Sequence, residues 1–261
     1  MIKCRGTFAE LRIYFGSIAL AVMLFGVSWV RVFAVEIAES PIKALTPIEM
    51  GYVDFPPWTY EKAGKATGCT IELVRRIAVD QGLDIQYHKL PVSRLFKAIA
   101  DGSIDFFVGI TSPLEVRNHI IFRDRPVMVA ELNLWAKKGM KIPAFESISS
   151  EGLIVMRGYN YGHLADNIAS RSIEIVGASS HQDLYNMLMK GRAPFALDYL
   201  GPIRETIGEA GMNKLDWRHV QSFKSYFSVS KKAENAEMIL DKLHRGLDNV
   251  RAVDTKLKCG E

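Results

Sequence analysis

The residues best suited to chemistry in this chain are few. Thr111-Ser112-Pro113 is followed by Glu115 and Arg117. Ser is a preferred N-cap, Pro suits the first helical position, and Glu three residues after the cap completes a helix-start signature. A helix start leaves backbone N–H groups unpaired. A guanidinium about one turn further on suits a carboxylate, which it holds with two parallel hydrogen bonds. Arg117 is therefore a candidate anion clamp, or else a solvent-facing cation paired with Glu115 or Asp124. Arg94, after Pro91-Val92-Ser93, is either a second such cation or an exposed helix residue. Phe55 and Trp58 flank Pro56-Pro57 and offer aromatic faces to a ligand or to the core.

Other chemistries find no support. The six histidines (His88, His119, His163, His181, His219, His244) have no metal-ligand spacing, and each reads as a surface or capping residue. The cysteines form no Cys-x-x-Cys pair, so no metal is expected. There is no phosphate-binding Gly-rich loop, dinucleotide fingerprint or G-x-S-x-G elbow, so no cofactor is expected. Asp101, Asp105, Glu115, Asp124 and Asp198 include potential acid–base partners, but spacing sets no two of them face to face. The chain reads as a binder and not as an enzyme.

The elements that must position these residues alternate between strand and helix. Glu49–Asp54 reads as a strand stopped by Pro56-Pro57. Thr70 reads as the cap of a helix with Ile71, Val74 and Ile77 on one face and Gly82 at its end. Ile85–Leu90 is a strand, Arg94–Asp101 a helix capped by Ser93, and Ile104–Ile110 a continuous apolar run typical of a fully buried strand. After Lys137-Lys138-Gly139 the pattern repeats. Leu153–Met156, Ile173–Val176, Pro194–Leu197 and Tyr226–Ser230 read as strands. Residues 162–170, the segment from Ser180 to Lys190, Ile203–Ala210 and Ala233–Val250 read as helices. Alternating βα units imply α/β architecture with mostly parallel sheets covered by helices. Two such runs imply two lobes.

Charge and the N-terminus bear on location. The 261-residue chain has 33 basic and 29 acidic side chains, a net charge of +4, and 48% apolar residues. Lys3, Arg5 and Arg12 precede an apolar stretch from Ile13 to Val30, with Val32 and Ala34 at the positions a signal peptidase reads. Residues 1–34 are expected to be a cleaved signal peptide leading to the periplasm, the alternative being a retained anchor. Losing Lys3, Arg5, Arg12, Arg31 and Glu10 leaves 29 basic against 28 acidic residues. That near balance removes the surplus a nucleic-acid binder needs. Cys69 and Cys259 then remain, and in an oxidising compartment they either pair or stay as thiols.

Gly51-Tyr52-Val53-Asp54-Phe55-Pro56-Pro57-Trp58-Thr59-Tyr60, then Gly64-Lys65-Ala66-Thr67-Gly68, resembles the start of extracellular solute-binding proteins of family 3, which serve polar amino-acid ABC transporters. The likeness runs on through Asp101-Gly102-Ser103-Ile104-Asp105, Gly109-Ile110-Thr111, Glu115-Val116-Arg117, Phe122-Arg123-Asp124-Arg125-Pro126, Met156-Arg157-Gly158 and Leu188-Met189-Lys190-Gly191-Arg192, with Asp198 after them. It spans nearly all of 45–250. The resemblance implies a two-lobed periplasmic-binding-protein fold of type II-like form with two hinge strands. Lobe 1 would be 45–137 plus 226–261, and lobe 2 140–222. It also implies that Arg117, helped by backbone at Gly109 to Thr111, clamps a ligand carboxylate and that Asp198 takes its ammonium. Phe55 would pack on the ligand side chain with Trp58 close by, and Tyr159 and Asn160 would add donors.

The family's second aromatic wall falls at Val92, and the run from Gly191 to Asp198 is one residue short, with Pro194 inside it. The closing helix, returning to lobe 1, would bring Cys259 toward Cys69 and offers a disulfide. The expected partners are a small amino acid or carboxylate and a membrane permease, with the chain a monomer. Two alternatives remain: a module that binds a protein partner and no solute, and a cyclohexadienyl-type dehydratase on the same scaffold.

Overall fold

A computed structural model describes residues 47–111, 114–148, 151–162, 164–171 and 173–254. The expected signal peptide, the Ser112-Pro113 helix start and Cys259 lie outside the described residues. In chain order the elements are β1 (Ile48–Tyr52), β2 (Tyr60–Lys62), β3 (Lys65–Thr67), α1 (Cys69–Gln81), β4 (Ile85–Lys89), α2 (Val92–Asp101), β5 (Phe106–Gly109), the single turn α3 (Leu114–Arg117), β6 (Ile120–Ile121) and β7 (Met128–Lys137). Then come β8 (Leu153–Met156), α4 (Leu164–Ala169), β9 (Ile175–Ala178), α5 (His181–Met189), β10 (Phe195–Tyr199), α6 (Leu200–Met212), β11 (Leu215–Ser230) and α7 (Ala236–Val253). Among the described residues, no helix is long and apolar enough to cross a membrane.

The strands run in the order β4-β1-β5-β11-β7-β10-β8-β9, with β6 also on β11. Strands joined through helices are parallel: β1 with β4 and β5, and β8 with β9 and β10. The antiparallel pairs on this path all involve β7 or β11. Those two strands join the α/β lobes. β11 pairs with β5 from Tyr226 to Val229, whereas its earlier part pairs with β7 from Leu215 to Ser225. β7 already pairs with β10 at Leu132, before the Lys137-Lys138-Gly139 stretch. Sequence pattern finds the end of β11 but not Leu215–Ser225, because that run is half exposed, carries Asp216, Arg218, His219 and Lys224, and has a register shift between His219 and Gln221.

Local chemistry explains where the helices start. Thr70 is not a cap. The residue before α1 is Gly68 at φ 117, and the N–H groups of Cys69 and Thr70 donate to the carbonyls of Pro57 and Trp58 at 3.1 and 3.0 Å. The helix start is thus satisfied by backbone, and the fully buried Thr70 turns its hydroxyl to Met128 Sδ, 3.6 Å away. α2 opens at Val92 behind Pro91, not after Ser93. At α5 the sequence signal holds: Ser180 Oγ accepts from Asp183 N–H at 3.1 Å, and Asp183 accepts in return from Ser179 N–H at 2.9 Å. Gly82 and Gly102 end α1 and α2 in left-handed conformation. Gly208 (φ 61, ψ −177) breaks the segment read as one helix over Ile203–Ala210.

α7 packs back on α1. Ile77, Leu243 and Leu247 are fully buried there, each contributing about 1.5–3 kcal/mol by leaving water. Arg76 reaches Asp254 at 2.8 Å across the pair. Cys69, at the first position of α1, is disulfide-bonded.

Candidate functional site

A cavity of about 110 Å³ opens between the two lobes where β7 and β11 cross. From lobe 1 it is walled by Val53, Phe55, Trp58, Leu95, Phe96 and Phe107. Met128, Ala130 and Ser225 come from the crossing strands, and Tyr159, Asn160, Tyr161 and Tyr199 from lobe 2. No charged side chain lines it among the described residues.

Each wall has a structural reason. Phe55 stacks on Trp58, ring centres 5.1 Å apart and planes 21° apart, and meets Tyr199 edge-on, also at 5.1 Å. The indole of Trp58 lies over Gly201 at the start of α6, where a Cβ would come within 2.3 Å of the ring. Aromatic side chains of lobe 1 therefore seat directly on lobe 2. Gly109, at the end of β5, leaves room for the Phe107 ring, which would lie 2.7 Å from any Cβ there. The lobe 2 wall is fixed from behind. Tyr161 Oη accepts from Met156 N–H at 2.8 Å and donates to the Leu197 carbonyl at 3.1 Å. Burial and the Asp198 charge push the Tyr159, Tyr161 and Tyr199 phenols up, so all three remain neutral donors.

Of the residues named from sequence, Phe55, Trp58, Gly109, Tyr159 and Asn160 line this cavity, and so does Val92, where the resemblance puts an aromatic wall. Arg94 and Arg117 are exposed and Thr111 is buried beside β5, none of them in the lining. α3 is one turn long, so it carries almost no macrodipole. Asp198 is fully buried. Its Oδ1 accepts from Tyr199 N–H at 2.8 Å, and its Oδ2 bonds His181 Nδ1 at 2.6 Å.

His181 corrects the reading of the histidines as surface residues, as does His244. Both are buried. The His181 ring faces Phe55 at 6.3 Å and Tyr159 at 6.2 Å, so it stands just behind the cavity wall. Burial works against its charge, but Asp198, with help from Asp54, prevails and raises its pKa. Its Nε2 has no hydrogen bond of normal geometry. Sequence reasoning also missed Phe96, Phe107 and Tyr199. Phe107 lies in the apolar run of β5 and Phe96 on α2, positions that read as core. Tyr199 follows Asp198, and alternation in β10 was masked because all five of its residues are buried.

The cavity is walled largely by carbon and lies between two lobes, and solved structures share the fold. A crystal structure of a histidine kinase sensor domain with similarity to periplasmic binding proteins is 22% identical, with TM-score 0.68 over 80% of this chain and 92% of that one. The arginine-, lysine-, histidine-binding protein ArtJ from the thermophilic bacterium Geobacillus stearothermophilus is 19% identical, with TM-score 0.66 over 80% and 90%. The substrate binding protein of an amino acid ABC transporter is 18% identical, with TM-score 0.65 over 80% and 94%. At these identities the likeness shows the fold. No curated protein sequence matches the chain. The sequence profile of one family matches residues 48–258, nearly the whole of both lobes, and on that match the chain belongs to the bacterial extracellular solute-binding proteins, family 3.

Proposed function

We propose that this protein captures a small carboxylate-bearing solute, an amino acid or a close relative, in the periplasm and presents it to the permease of an ABC transporter. One observation carries the reading: a single cavity is walled by both lobes at the crossing of the two strands that join them. A solute there touches both halves, so it favours the closed arrangement by its extra contacts in that state. The carboxylate is assigned to the mouth of the cleft, toward the backbone of Ile110 and Thr111 and the Arg117 side chain. Arg117 makes no ion pair among the described residues, which leaves its guanidinium available.

The test is calorimetric titration of the purified protein with amino acids and small carboxylates, repeated on Arg117→Ala. Micromolar binding, about −8 kcal/mol, should be lost in the variant while its circular dichroism is unchanged. Undiminished affinity in Arg117→Ala would reject the assigned anion contact.

A second reading has its own observation. Phe55 and Trp58 seat on Tyr199 and Gly201, so the chain's own rings already close part of the seam. A module that recognises a protein partner and takes no solute would look like this. A complete lack of thermal shift across the solute panel would favour it.

A further inference from the structure

We infer that the cleft selects acids that lack an α-ammonium group, with a branched aliphatic or aryl body of about six carbons, over the corresponding amino acids. The inference deepens the proposed function and rests on it.

The first ground is charge. An α-ammonium would sit one carbon inward from the carboxylate at the mouth, where it would lose part of its hydration, and among the described residues no carboxylate lines the cavity to replace it, a cost for any ion. Asp198, behind the wall, is already bonded to His181 Nδ1 and accepts from Tyr199 N–H. Asp198 is fully buried and stands outside the lining, so it offers no oxygen to an ammonium in the cavity.

The second ground is the remaining polarity. The Thr59 hydroxyl donates to the Val53 carbonyl at 2.8 Å, and the Thr70 hydroxyl turns to Met128 Sδ. The lining groups left for a solute are uncharged, chiefly the phenols of Tyr159 and Tyr199 and the Asn160 amide. Neutral donors of this kind suit a keto oxygen.

The third ground is size and surface. An apolar cavity of about 150 Å³ accepts benzene. The cavity here, about 110 Å³ and walled largely by aromatic and aliphatic carbon, matches a body of similar scale with its carboxylate left at the mouth.

The test is calorimetric titration of the purified protein with two matched pairs: 4-methyl-2-oxopentanoate against leucine, and phenylpyruvate against phenylalanine. Arginine and glutamine serve as polar controls. At least one oxo acid should bind about tenfold or more tightly than its amino acid. Val92→Trp, which fills the cavity wall at the start of α2, should weaken that oxo acid about tenfold with unchanged circular dichroism. Equal or tighter binding of leucine, phenylalanine, arginine or glutamine overturns the inference and leaves the solute-binding reading standing. Unchanged oxo-acid affinity in Val92→Trp also overturns it, because the acid then binds elsewhere. Silence from all six compounds and from the wider panel overturns both.

Discussion

The seam between the lobes and the packing of α7 on α1 and β11 each bury a histidine against an aromatic ring, and each brings a glycine under a large side chain. At the seam, His181 lies near Phe55 and Tyr159 and is bonded to Asp198. Under α7, His244 meets the Phe227 ring edge-on at 5.6 Å and has no hydrogen bond at either nitrogen. Burial and the nearby Arg125 and Arg123 hold its pKa below the usual histidine value, so it is kept neutral. The same side chain is thus stabilised as a cation in one place and as a neutral ring in the other. The difference lies in the neighbours. The seam keeps a buried polar cluster behind the cavity wall, whereas α7 packs on α1 and β11 with one unpaired ring.

Removing the carboxylate from the seam should have the largest effect. Asp198→Ala strands a buried His181 and an unpaired Tyr199 N–H. Breaking a buried pair by deleting one partner costs on the order of 3–5 kcal/mol, read as a lower midpoint in chemical denaturation. Asp198→Asn keeps an acceptor and should lose less. A loss below about 1 kcal/mol in Asp198→Ala would mean that the two regions do not differ as described.

The two glycines sharpen the contrast. A Cβ on Gly201 would meet the Trp58 indole at 2.3 Å, and a Cβ on Gly246 would meet Ile77 Cγ2 at 2.6 Å. Gly201→Ala and Gly246→Ala should each destabilise by about 1–3 kcal/mol through overpacking. Only Gly201→Ala should also change tryptophan fluorescence and weaken solute binding, because only it displaces a cavity wall. Equal effects on binding would erase the distinction between seam and scaffold.

These positions also show what the sequence reveals and what it hides. Gly246 reads as a weak point in a helix until the close approach of Ile77 explains it. The βα alternation, the end of α1 at Gly82 and the Ser180 cap are legible because each depends on residues within a few positions. The Thr70 cap fails because α1 takes its cap from the distant Pro57 and Trp58 carbonyls. At the site, Phe55, Trp58, Tyr159 and Asn160 are visible through resemblance to a family. The partner of Asp198 is not, since nothing in the spacing from His181 to Asp198 shows that two elements bring them within 2.6 Å. The lobe-joining run of β11 is hidden for a related reason: a half-exposed strand spanning two lobes has no steady period of two.

His244 offers a gentler test. Replacing it with Phe removes two unpaired nitrogens and keeps a ring against Phe227. Swapping an unsatisfied buried polar group for an apolar one of like shape is neutral or stabilising. His244→Phe should therefore match or exceed the wild-type melting temperature, whereas His181→Phe, which leaves Asp198 without its partner, should fall well below it. A clear loss in His244→Phe would show that the ring has a partner role after all.

The smallest effect, and the one that separates the two histidines most directly, is the dependence of stability on pH. Free histidine titrates near about 6.5. His244 has a lowered native pKa, so the unfolded chain binds its proton more readily. Its contribution is present above about pH 6.5 and is lost as pH falls through the lowered value. His181 has a raised native pKa. Its contribution is complete below about pH 6.5 and is lost as pH rises through the raised value. The two slopes oppose each other on either side of that pH. Denaturation midpoints measured from pH 5 to 8.5 should show His244→Phe flattening the acid limb alone and His181→Gln flattening the alkaline limb alone. If both variants flatten the same limb, the two histidines share one charge state, and the contrast between a charged seam and a neutral scaffold does not hold.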